Sequence, residues 1–101
     1  DPVACLKKFI RRVGHVHLKD MRADVFMEVK ERQLPFLEAV RAGVFTVPGD
    51  GSVDFPSIFR LLDEGGYEGW MVIEAEQDPV KANPFEYALM GRNYIRKHTG
   101  L

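Results

Sequence analysis

Two short segments limit what this chain can fold into. Residues 14–20, GHVHLKD, alternate so that His15 and His17 share one face and Val16 and Leu18 the other, as in a β-strand. Residues 70–76, WMVIEAE, form a nearly continuous apolar run ending in acids, which suits a strand buried on both faces and opening at its C-terminal end into a polar site. The rest of the chain reads as helix and loop. Strands separated by helices imply parallel pairing through a crossover, and hence an α/β fold. Two parallel strands alone, however, leave unpaired backbone edges and bare apolar surface. Residues 1–101 are therefore expected to be one segment of a larger α/β domain, to which the lack of an initiator methionine at Asp1 also points.

The helical segments carry clear signals. Asp1 and Pro2 suit an N-cap and first turn, after which Val3, Leu6, Ile10 and Val13 recur at helical spacing as far as Gly14. Residues 24–41 are helix-prone but divided near Leu34 and Pro35, because proline is tolerated in a first turn and not in a helix interior. Residues 43–53, with the run GVFTVPGDG, read as an ordered loop. Asp54 can cap the next helix, whose buried stripe is Phe55, Ile58, Phe59 and Leu62 and whose stop is Gly65-Gly66. Asp78-Pro79 or Asn83-Pro84 begins a last helix, on which Phe85, Ala88, Leu89, Tyr94 and Ile95 give a broad apolar surface.

Composition narrows the partners. Fourteen basic residues against fifteen acidic give a net charge of −1, without the basic surface that binding to phosphate backbones requires, so no nucleic-acid partner is expected. Cys5 is the lone cysteine and no long apolar run or leader-like stretch occurs, which points to a reducing cytoplasmic setting and no membrane partner.

Chemistry concentrates at the ends of the two strands. Neutral imidazole is a common metal ligand, and α/β barrels place their sites where parallel strands end. A strand histidine is also often a hydrogen-bonded packing residue. Glu74 and Glu76 share a face of their strand, and burying carboxylates is costly unless they are paired or bind a cation, so a shared divalent metal would account for both pairs. Such a nitrogen and oxygen set suits Mn²⁺, Co²⁺, Fe²⁺ or Zn²⁺, and further ligands would have to come from outside the segment. Lys19, Asp20 and Arg22 follow the first strand directly and either orient an oxygen-rich substrate or form an ordinary solvated loop. Phosphate-loop, dinucleotide, zinc-protease and serine-hydrolase patterns do not occur.

The stretches GHVHLKDMR, RAGVFTVPGDGSVDFPSIF and GYEGWMVIEAEQDPVKANPFEYA resemble the C-terminal third of inosose dehydratases, members of the xylose-isomerase-like (β/α)8 TIM barrels, and the likeness spans nearly the whole chain. It implies the last two β-strands of a barrel with their flanking helices, incomplete as a barrel. His17 and Glu74 would be metal ligands for Mn²⁺ or Co²⁺, with a glutamate and an aspartate preceding Asp1 completing the set. Lys19 and Glu74 would be catalytic. His15, one pleat deeper, would be a supporting residue, and with Glu76 and Arg22 it would lie on the substrate side. The implied reaction is loss of water from 2-keto-myo-inositol to give a trihydroxycyclohexane dione, with the segment inactive alone and a homo-oligomer open to the full-length protein. A keto-sugar epimerase or isomerase on the same barrel is the main alternative. A non-catalytic interaction segment and a metal-dependent DNA-repair barrel are weaker ones.

Overall fold

A computed structural model describes all 101 residues. Helix α1 (Pro2–Phe9) starts where the Asp1 side chain accepts from the N–H groups of Val3 and Ala4, and it runs into a single tight turn at Ile10–Arg12. Strands β1 (Val16–Leu18) and β2 (Asp20–Met21) follow, then α2 (Ala23–Glu31) and α3 (Phe36–Ala42), with the break at Pro35 that the sequence requires. After β3 (Phe45–Thr46) come α4 (Phe55–Glu64), β4 (Met71–Ile73) and α5 (Pro84–Thr99). Asn83 caps α5, its side chain accepting from Phe85 and Glu86 N–H, so of the two possible starts the second is used.

Strands β1 and β4 pair in parallel, with Val16 opposite Met71, His17 opposite Val72 and Leu18 opposite Ile73. The ladder continues one step, since Glu74 N–H donates to Leu18 C=O at 3.0 Å. Lys19 and Glu74 therefore leave the sheet at the same end. Leu18 is buried against Phe55, Ile58, Phe59 and Leu62 of α4 and Ile95 of α5, and Val16, Met71 and Ile73 pack against the same cluster. Fully burying aliphatic or aromatic side chains of this kind contributes about 1.5–3 kcal/mol each, which makes this the main cohesive contact of the chain.

Three expectations need correction. The run from Trp70 is not buried on both faces: the strand is confined to residues 71–73, Trp70 is 80% exposed and Val72 36% exposed. Helices cover only one side of the β1/β4 pair, and β4 pairs with no strand other than β1. The apolar surface of α5 is likewise used only in part, because Ile95 is buried while Phe85 and Leu89 are exposed. The 43–53 stretch, expected as loop alone, contributes β3, which pairs antiparallel with β2 in the register Asp20 to Thr46 and Met21 to Phe45.

Candidate active site

At the C-terminal ends of β1 and β4, four side chains meet. Period-two alternation sends His17 to the face opposite the helical core, and Glu74 comes alongside it, with His17 Nδ1 3.1 Å from Glu74 Oε2. Lys19 donates from Nζ to Glu74 Oε1 at 2.8 Å and to Glu76 Oε2 at 2.7 Å. His15 approaches from below: its Nε2 lies 3.2 Å from His17 Nε2, with the rings edge to face. The chain is satisfied when His15 donates to His17 and His17 donates from Nδ1 to Glu74. Phe45 of β3 closes one wall, its ring centroid 4.8 Å from Lys19 Nζ, a cation–π distance.

This geometry fixes charge. Burial disfavours the Lys19 ammonium, but hydrogen bonds from it to Glu74 and Glu76, and the charges of those carboxylates, outweigh that and hold it above the ordinary lysine value. The Glu74 carboxyl is held below its ordinary value, first by the hydrogen bond from Lys19 and then by that from His17. At neutral pH the cluster therefore presents a protonated amine between two carboxylates, open on the side away from the core.

The donor set fits part of a divalent-cation site. Nitrogen and oxygen ligands at about 2.0–2.2 Å from one ion stand about 3 Å apart when they are neighbours on a six-coordinate centre. His17 Nδ1 and Glu74 Oε2, 3.1 Å apart, fit that relation. His15 is then placed to accept from His17 Nε2, fixing the tautomer that leaves Nδ1 free to ligate. No group of three His, Cys, Asp or Glu side chains converges, so these residues offer a pair of donors and not a whole site.

Arg22 lies to one side of the cluster and is engaged with the neighbouring loop. Its guanidinium donates to Gly43 C=O at 2.7 Å, to Thr46 Oγ1 at 3.1 Å and to Asp50 Oδ2 at 2.6 Å. Asp20, 1% exposed, also serves this loop: its carboxylate accepts from the N–H groups of Met21, Gly49, Gly51 and Val53. Thr46, Phe45 and Gln77 carry no functional signal of their own in the sequence, and Asp50 reads there only as part of the Pro48-Gly49-Asp50-Gly51 turn. The one sequence hint was the glycine pair flanking Asp50, since closely spaced glycines mark a backbone that something approaches closely.

With this geometry in view, comparison places the chain. Residues 1–98 match the family described as xylose isomerase-like TIM barrel, and the chain belongs to that family. Within it, the relatives at high identity are inosose dehydratases. The chain is 61% identical over 99 residues to inosose dehydratase of Erwinia tasmaniensis, covering 98% of this chain and 33% of that protein. It is 59% identical over 101 residues to the Geobacillus thermodenitrificans enzyme of the same name, covering 100% of this chain and 34% of that protein. For Clostridium beijerinckii the figures are 58% over 100 residues, 99% and 34%. The chain thus spans about a third of the length of the curated relatives it matches. No helix is long and apolar enough to cross a membrane.

Proposed function

We propose that the chain is the part of an inosose dehydratase that carries the last two strands of its (β/α)8 barrel, and that the full-length protein is a cytoplasmic hydro-lyase converting 2-keto-myo-inositol to a trihydroxycyclohexane-1,2-dione. The observation that carries this is the meeting of His17, Lys19, Glu74 and Glu76 at the shared C-terminal end of two parallel strands, in a chain whose relatives bear that name. Barrel enzymes of this architecture work at that end of their strands. The bare edges of the β1/β4 pair support a place within a larger sheet. The segment is proposed to be inactive alone, because its cation ligands are incomplete.

His17 Nδ1 and Glu74 Oε2 would hold a divalent cation, Mn²⁺ or Co²⁺ suiting the mixed donors, together with donors from the rest of the protein. When bound, such a cation supplies Lewis acidity to the substrate ketone and so acidifies the adjacent C–H. Dehydration then requires that this proton leave, that the C–O bond on the next carbon break, and that the departing hydroxide receive a proton. Lys19 suits the last role: its Nζ donates to both Glu74 and Glu76 at the strand ends, where an ammonium would serve as an acid or as a fixed positive charge beside the developing enolate oxygen. A carboxylate is left to take the carbon-bound proton, and Glu74 and Glu76 both stand beside Lys19. His15 steadies the His17 ring, and Arg22 holds the loop that walls the site.

Product analysis tests the reaction class. The full-length protein, supplied with Mn²⁺ or Co²⁺ and 2-keto-myo-inositol, should yield a product lighter by one water and absorbing as a conjugated diketone. A product of unchanged mass would replace the lyase with a keto-sugar epimerase or isomerase.

A further inference from the structure

Glu76 has a positive φ of +54°; the other non-glycine residue with a positive φ, Gln33, follows the end of α2. Left-handed backbone is disfavoured for a residue with a Cβ, so surrounding contacts must hold it there. At Glu76 those contacts lie on both sides. The side chain reaches back to Lys19 Nζ at 2.7 Å, and the next residue, Gln77, donates from Nε2 to Thr46 Oγ1 at 3.3 Å.

Thr46 is a firm anchor. It is 0% exposed, accepts from Arg22 Nη2 as well as from Gln77, and donates its one hydroxyl proton to Asp50 Oδ2 at 2.6 Å. Asp50 sits between Gly49 and Gly51, whose N–H groups both donate to the buried Asp20 carboxylate. A continuous set of hydrogen bonds thus runs from the interior of the β2/β3 unit to the turn that follows β4.

We propose that Gln77, acting through Thr46, is a positioning residue that locks the left-handed turn at Glu76 and so keeps a second carboxylate on Lys19 Nζ. Lysine is a flexible, four-carbon stem, and one carboxylate does not fix its end. Glu74 is also shared with His17, whereas Glu76 has only Lys19 to hold. Were Glu74 to hold a cation, Glu76 would remain the contact that keeps Nζ over the Phe45 ring and in place for proton delivery. The consequence for turnover rests on the role proposed above for Lys19; the geometric claim does not.

The test uses the full-length protein. A water-soluble carbodiimide joins a lysine amine to a carboxylate in contact with it, and mass spectrometry locates the resulting amides. Wild type should give Lys19–Glu74 and Lys19–Glu76 links. Gln77→Ala and Thr46→Val should lower the Lys19–Glu76 link relative to Lys19–Glu74 by about fivefold, the population change expected from one neutral hydrogen bond, and Thr46→Ser, which keeps the hydroxyl, should restore it. In the same variants kcat on 2-keto-myo-inositol should fall with KM little changed. An unchanged ratio of links in Gln77→Ala and Thr46→Val overturns the proposal whatever the activity. A lowered ratio with undiminished kcat upholds the positioning and shows that turnover does not depend on the Glu76 contact.

Discussion

Gly51 donates its backbone N–H to Oδ2 of the buried Asp20 carboxylate at 3.1 Å, and a Cβ at Gly51 would overlap that same carboxylate. The pair explains why a loop with so little side-chain bulk is ordered. One charge taken out of water is compensated by four backbone N–H groups, and the glycine lets the chain come close enough to supply one of them.

Asp20→Ala should therefore leave buried donors without partners and cost about 3 kcal/mol, and Gly51→Ala about 2 kcal/mol through overpacking. Urea unfolding of the full-length protein measures both. Losses below about 0.5 kcal/mol, the range of neutral surface changes, would show that the loop does not depend on this contact.

Acid stability has a separate, assignable contribution at the start of α4. The Asp54 carboxyl lies below the ordinary aspartate value of 3.8, through hydrogen bonding with Ser57, side chain first and then backbone N–H. A depressed folded-state pKa stabilises the fold above the unfolded value, and this contribution disappears as pH falls through the lower folded value. Asp54→Asn keeps a capping oxygen but cannot titrate. Urea midpoints measured from about pH 5 to about pH 2 should therefore decline less steeply in Asp54→Asn than in wild type. Parallel declines would place the acid sensitivity elsewhere.

Much of this was legible in the sequence because the signals were local. The period of Phe55, Ile58, Phe59 and Leu62 defines α4 without reference to anything distant, and Pro35 divides α2 from α3 wherever the rest of the chain lies. The alternation His15, Val16, His17, Leu18 marks both the strand and the face its imidazoles share, where His17 meets Glu74 and His15 meets His17. What the sequence hid depends on contacts across long separations. Strands β2 and β3 are two residues each, too short for any period to register, and exist because Asp20 pairs with Thr46. The exposure of Trp70 and Phe85 was hidden for the opposite reason: an apolar residue signals burial, but not whether a covering layer lies within the same chain. Alternation alone puts Glu76 on a strand face with Glu74, whereas β4 ends at Ile73 and a left-handed turn brings the carboxylate back.

The Lys19 ammonium is held protonated between two carboxylates, and Lys19→Met removes both the proton and the charge while keeping much of the stem. Turnover of 2-keto-myo-inositol by the full-length enzyme should fall by about 10²–10⁴, the usual contribution of a positioned acid, with a smaller change in KM. Undiminished kcat would remove Lys19 from the chemistry.

His17 and Glu74 are proposed to hold together the cation on which dehydration depends, and the most direct measurement of this is the rate of dione formation after chelation and then after Mn²⁺ or Co²⁺ is restored. Wild type should lose activity to the chelator and recover it with the metal, while folded His17→Ala and Glu74→Gln proteins should stay inactive at metal concentrations that saturate wild type. Chelator-insensitive activity in wild type, or full activity in either folded variant, would contradict the account.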